Sequence, residues 1–200
     1  MAEALKKTGA EVISIQSDWS VQGGKLATFI HGLLSTEMYE LIDIAADHQE
    51  LLCRNVKPLF ADISAYNPRA LLKATMLGEE SHADVQKNVF GEGCIALIMP
   101  TLATPFVSPA FQATENDVAW VNGKEVRSND IILTPIWNLL NRYPVVDMPV
   151  MLSSKRVPIG VQIVGNTFDD LAAFRVAAGL SKVLPQMFTG DRFPDFREQK

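Results

Sequence analysis

Two apolar stretches near the C-terminus, Val145 to Leu152 and Pro158 to Val164, flank the four polar residues Ser153-Ser154-Lys155-Arg156. Valine- and isoleucine-rich runs of this length, joined by a short polar turn, predict an antiparallel hairpin. Strands this apolar need cover, so the hairpin demands packing layers around it. One layer follows in the chain. Thr167-Phe168-Asp169-Asp170 offers a capping-box-like helix start, and Leu171, Phe174, Val176, Ala177, Leu180, Val183 and Leu184 fill a predicted buried side up to Pro185.

Upstream, Ala2 to Thr8 reads as helix turns ended by Gly9, and Glu11 to Ile15 as a short strand with β-branched Val12 and Ile13. Asp18 to Lys25 reads as loop. From Ser35, the apolar residues Met38, Leu41, Ile42, Ala45 and Leu52 recur at helical spacing, which predicts an amphipathic helix ended before Pro58. Asn67-Pro68 starts a second long helix running to about Glu92, because Asn accepts free backbone N–H groups and Pro loses no bond at the first helical position. Cys94 to Met99 predicts a strand buried on both faces, and Thr101 to Asp130 an irregular stretch containing an Asn122-Gly123 turn. Thr134-Pro135 leads a short helix from Ile136 to Asn141. Strands separated by helices place the chain in the α/β class, as one domain over residues 1–200. Four strands is a small sheet for that length.

Composition narrows the function. With 48% hydrophobic and 20% charged residues the chain is globular, and a net charge of −5 gives no electrostatic footprint for nucleic acid or an anionic membrane. Its apolar runs fall far short of the ~20 residues that cross a bilayer. The opening residues lack the basic-then-apolar order of a signal peptide. Cys53 and Cys94 form no disulfide pattern, which points to a reducing cytoplasm.

The sequence contains no Gly-x-Ser-x-Gly elbow, HExxH, CxxC or phosphate-binding loop, and it implies no cofactor and no metal. Glu79-x-x-His82 places two potential ligands on one helix face, but a carboxylate-bridged metal site needs a second such motif, so the pair reads as a solvated face. Cys94 reads as a small core residue. Asp147 stands out, because it interrupts an apolar strand where an unpaired carboxylate is costly.

The stretch Pro144-Val-Val-Asp-Met-Pro149, then Val157-Pro-Ile-Gly-Val-Gln-Ile-Val-Gly165, then Asp169-Asp170 opening a helix, resembles the C-terminal part of amidase-signature hydrolases. Leu5-Lys-Lys-Thr-Gly-Ala-Glu-Val12 resembles that family's helix–Gly-Ala–strand unit, and Ala96-Leu-Ile-Met-Pro-Thr101 its strand ending in Pro-Thr. The resemblance implies an incomplete amidase-signature-like fold, a mixed twisted sheet packed between helices, in an enzyme that hydrolyses amide C–N bonds with a serine–cis-serine–lysine triad. The triad belongs to the family's N-terminal half, whose Gly/Ser-rich nucleophile loop has no counterpart here. No catalytic residue carries over, and Ser153, Ser154 and Ser181 inherit none of that role. Arg142, Met151 and Arg156 stand where the family usually has glycine, and Asp147 where it usually has a small residue.

What the resemblance implies for this chain is scaffold and one wall of a substrate pocket, with Thr101, Asn138, Asp147 and Gln162 as candidate substrate-binding residues. Each also has a structural reading: Thr101 capping a turn, Asn138 facing solvent, Asp147 bonded at a sheet edge, Gln162 bonding backbone within the core. Two functions follow. The chain is a segment of an amide hydrolase that needs the missing N-terminal half and acts, when complete, on a small amide; or it is a non-catalytic binding or assembly protein that keeps the fold remnant. An incomplete sheet favours docking of the missing half or self-association.

Overall fold

The computed structural model describes residues 1–16, 25–36, 39–61, 66–108, 111, 118–185 and 187. Its centre is the hairpin. Strands β4 (Val145–Leu152) and β5 (Pro158–Gly165) pair antiparallel with Asp147 opposite Gln162, and β1 (Ala96–Pro100) joins the other side of β5 with Met99 opposite Gln162. The order is therefore β1-β5-β4, with β5 central. β1 is a half-buried edge strand rather than one buried on both faces, and Ile95 before it is exposed. Its sequence carries the apolar run of a central strand, but among the described residues a neighbour pairs with it on one side alone.

Alternation along the strands gives the sheet two faces. On one, Ile98, Val146, Met148, Val150, Val161 and Ile163 pack against α1 (Ala2–Lys7) and α6 (Asp170–Val183). On the other, Leu97, Met99 and Val164 meet Val85, Val89, Ile136, Trp137, Leu140 and Tyr143 from α4 (Pro68–Val85), the π-helical turn that extends it (Gln86–Phe90), and α5 (Pro135–Leu140) with its following turn. A separate apolar cluster, Leu34, Ile42, Ala45, Phe60 and Tyr66, involves α2 (Lys25–Leu34) and α3 (Tyr39–Asp47). Gly32 of α2 brings that helix against Ala74 of α4 so closely that a Cβ at position 32 would overlap Ala74.

Local signals explain the boundaries. Asn67 accepts from the N–H groups of Arg69 and Ala70 at the start of α4, and Asp169 accepts from Ala172 at the start of α6. Gly9 ends the first helix at φ +85°. Other segments depart from the sequence reading. Glu11 to Ile15 forms no strand, although Ile15 packs beside Leu97 and Met99. Residues 25–34 are helix, and the following helix is α3 alone, with Leu41 exposed and Met38 outside the described residues. The Asn122-Gly123 turn closes a hairpin of β2 (Val118–Val121) and β3 (Lys124–Arg127), both turn residues lying at positive φ as a type I′ turn requires. Within α6, Leu171 and Phe174 face outward. At the junction of sheet and helix, Gly165 donates to Pro144 O, and a Cβ there would lie 2.6 Å from Asp169 O and 3.1 Å from Pro144 Cγ.

Candidate functional site

Three of the four candidate residues meet at one end of the sheet. Asp147 of β4, Gln162 of β5 and Met99 of β1 share a face by register, and Thr101 follows β1 directly. Thr101 Oγ1 donates to Asp147 Oδ2 at 2.5 Å, passing over Gly160. That glycine is required: a Cβ on it would lie 2.8 Å from both Thr101 Oγ1 and Asp147 Oδ1. The carboxylate is thus held at an exposed position by one charge-assisted bond, with lone pairs of Oδ1 unused by any hydrogen bond among the described residues.

Gln162 is 1% exposed, and its Nε2 donates to Pro100 O at 2.9 Å and to Leu133 O at 3.4 Å. Beyond β1 the chain runs beside residues 131–133, where Leu133 N donates to Thr101 O and Ala103 N to Ile131 O. Gln162 therefore ties the end of β1 to this crossing segment and fixes where Thr101 stands. Asn138 lies apart from this group. It is exposed on α5 and lines a cavity of about 360 Å³ with Asn141, Arg142, Phe168 and Asp170.

Glu79 and His82, spaced for one face of α4, meet partners from beyond α5. Arg142 Nη2 donates to Glu79 Oε1 at 2.7 Å, and this bond, then the guanidinium charge, holds the Glu79 carboxyl below its ordinary value. His82 Nδ1 lies 2.6 Å from the Tyr143 hydroxyl, which also accepts from Gln86 Nε2 at 2.9 Å. Either ring tautomer satisfies this contact, His82 Nδ1 accepting the Tyr143 O–H or donating to its oxygen. Gln86 Nε2 donates further to Asn166 Oδ1 at 2.8 Å, so the network locks α4 and its extension to the residues that flank the β4–β5 hairpin on both sides. The sequence spacing singles out Glu79 and His82; it gives no sign of partners about sixty residues away.

Among the described residues no three His, Cys, Asp or Glu side chains gather in a way that could hold a metal ion, and no helix is long and apolar enough to cross a membrane. Cys94 packs beside the core cluster of Val85 and Trp137, as its sequence context predicts. Ser153 Oγ accepts from Val157 N within the hairpin turn, and Ser181 Oγ donates to the Ala178 carbonyl. The positive-φ demand around the expected glycines falls at Asn141 (φ +46°) rather than Arg142, and at Arg156 (φ +62°) in the hairpin turn. Met151 instead follows a bulge after Pro149.

No protein-family model matches the chain. Over 95 residues, 48% of this chain, it is 35% identical to a mitochondrial glutamyl-tRNA(Gln) amidotransferase component from Rattus norvegicus, a match spanning 17% of that protein. Among solved structures, an amidase superposes with a TM-score of 0.72 at 20% identity, covering 92% of this chain and 40% of its own. A 6-aminohexanoate cyclic dimer hydrolase gives 0.63 at 18% identity, over 92% of this chain and 40% of that one. A bacterial aryl acylamidase of the amidase-signature family gives 0.63 at 16% identity, over 85% and 36%.

Proposed function

The chain carries the fold of one segment of amidase-signature enzymes, and from that premise we propose that it is the C-terminal part of an amide C–N hydrolase. The carrying observation is the coverage: the superposition takes in 92% of this chain but only 40% of the neighbouring amidase. Amide cleavage needs an activated nucleophile, an acid for the leaving nitrogen and donors for the developing oxyanion. In this reading those groups come from sequence beyond these 200 residues, and the present chain supplies scaffold and pocket wall in a cytoplasmic enzyme.

Thr101 and Asp147 form that wall. The hydroxyl fixes one carboxylate oxygen and leaves the other to accept an N–H of a small amide substrate. Gln162 acts as a positioning residue, since its amide is spent on two backbone carbonyls. Asn138, which lines a separate cavity beside α5, takes no part in this wall.

The open sheet gives the remaining part of the enzyme a docking edge. Strand β4 carries a charge at Asp147, Pro149 and a bulge, features that blunt an edge, whereas β1 is uncharged and regular up to its final proline. The sheet is therefore proposed to continue beyond β1.

The chain alone should show no serine labelled by a fluorophosphonate and release no ammonia from a simple carboxamide. Joined to a complementary amidase-signature N-terminal segment, it should support turnover, and Asp147→Ala should raise KM more than it lowers kcat. Stoichiometric labelling of one serine in the isolated chain, with turnover, would refute the assignment.

A further inference from the structure

Between α2 and the start of α4 lies a cavity of about 300 Å³ whose lining includes no carboxylate among the described residues. Arg69 and Lys73 of α4 and His31 of α2 line it, together with Thr28, Asn67 and the small Ala70. This sign of charge runs against the net −5 of the chain. Arg69 and Lys73 stand four apart on one helix, where like charges repel. Among the described residues neither side chain forms an ion pair or a hydrogen bond that would offset the repulsion. His31 is half-buried and sits edge-on to the Tyr66 ring, with centroids 5.5 Å apart and planes at 80°, which holds the imidazole at the cavity wall.

We propose that this cavity binds the phosphate group of a small phosphomonoester. The two permanent charges of Arg69 and Lys73 match the charge of about −2 that such a group carries at neutral pH, whereas a carboxylate neutralises only one of them. The guanidinium fork and the ammonium supply donors for several oxygens, and a ring N–H of His31 adds another from the facing helix. Side chains carry the site. The first amides of α4 are already taken by Asn67, which accepts from Arg69 N and Ala70 N, so the helix adds only the positive end of its dipole.

Size and charge select the source of the phosphate. The cavity stands at the lower end of small-ligand pockets, roughly 300–1,000 Å³, and so holds a phosphate on a short carbon body. The overall negative charge disfavours nucleic acid or an anionic membrane as the carrier.

All these side chains belong to the present chain, so binding is measured on it directly. NMR titration at constant ionic strength, with inorganic phosphate and with glycerol phosphate up to about 20 mM, reads the site through the His31 ring signals. Both anions should shift those signals saturably, and glycerol phosphate should bind at least as tightly. Arg69→Gln and Lys73→Gln should each weaken binding at least about five-fold, and the double variant should abolish it, with circular dichroism unchanged. Lys87→Gln, which removes an exposed cation outside the cavity on the extension of α4, should leave binding unaltered. No saturable shift, or binding indifferent to Arg69→Gln and Lys73→Gln, would overturn the proposal. Acetate binding as tightly as phosphate would overturn the phosphate assignment in favour of a carboxylate, and glycerol phosphate binding more weakly than the inorganic ion would overturn the monoester.

Discussion

Replacing Gln162 probes the link on which the candidate site stands. Its side chain is 1% exposed and donates to Pro100 O at 2.9 Å and Leu133 O at 3.4 Å, the first a sound bond and the second a weak one. Gln162→Leu keeps most of the volume and removes both donors. The cost is that of leaving one well-bonded carbonyl without its partner, about 1–2 kcal/mol, with the longer bond adding little. Gln162→Ala loses the same bonds and opens a cavity, raising the cost to about 3–5 kcal/mol. Gln162→Glu is the harshest at neutral pH, because a buried carboxylate would face two carbonyl oxygens; protonation relieves it, so its deficit should shrink as pH falls. Urea unfolding followed by Trp fluorescence and far-UV circular dichroism measures all three, and the order should be Leu, then Ala, then Glu. A Leu variant within about 0.5 kcal/mol of the parent would refute the reasoning, since it would mean that Gln162 holds nothing together.

Three further outcomes can be measured alongside. Arg156 occupies φ +62° in the β4–β5 turn, so Arg156→Gly should stabilise the chain by up to about 1 kcal/mol, the relieved left-handed strain being partly offset by a freer unfolded chain. Gly160→Ala places a methyl group 2.8 Å from both partners of the Thr101–Asp147 bond; it should cost about 1–3 kcal/mol, and much less in a Thr101→Val background where the bond is already gone. The Glu79 carboxyl is held below its ordinary value of 4.5 by Arg142, so its contribution is present above that value and is lost as pH falls through the lowered one; Glu79→Gln should lower stability slightly at neutral pH, leave it nearly unchanged at low pH, and so flatten the acid limb of a stability–pH profile.

Features fixed by neighbours in sequence were legible. The caps at Asn67 and Asp169, the prolines at the first turns of α4 and α5, and the β4–β5 hairpin all follow from local chemistry. Those set by distant partners were not. The apolar run of β1 reads as a central strand because nothing in it records how many neighbours it has. The β2–β3 hairpin is hard to see despite its Asn-Gly turn, since four-residue strands with charges at Lys124, Glu125 and Arg127 carry little periodicity. Leu171 and Phe174 look like core residues on composition, but on the helical wheel Leu180 and Ala173 hold the buried side. Within the site, residue type draws attention to Thr101, Asp147 and Gln162, while only the three-strand register brings them together. Asn138 belongs elsewhere because α5 turns it outward.

The crowding at Gly165 has a consequence for how such a chain can change. Surface loops and outward helix faces can drift one residue at a time, but position 165 sits where the end of β5, the residue before β4 and the cap of α6 all converge. Any side chain there would push the cap and the hairpin apart together. Position 165 is therefore a veto point on mutational freedom in this sheet, as position 160 is, and libraries that randomise it should return glycine.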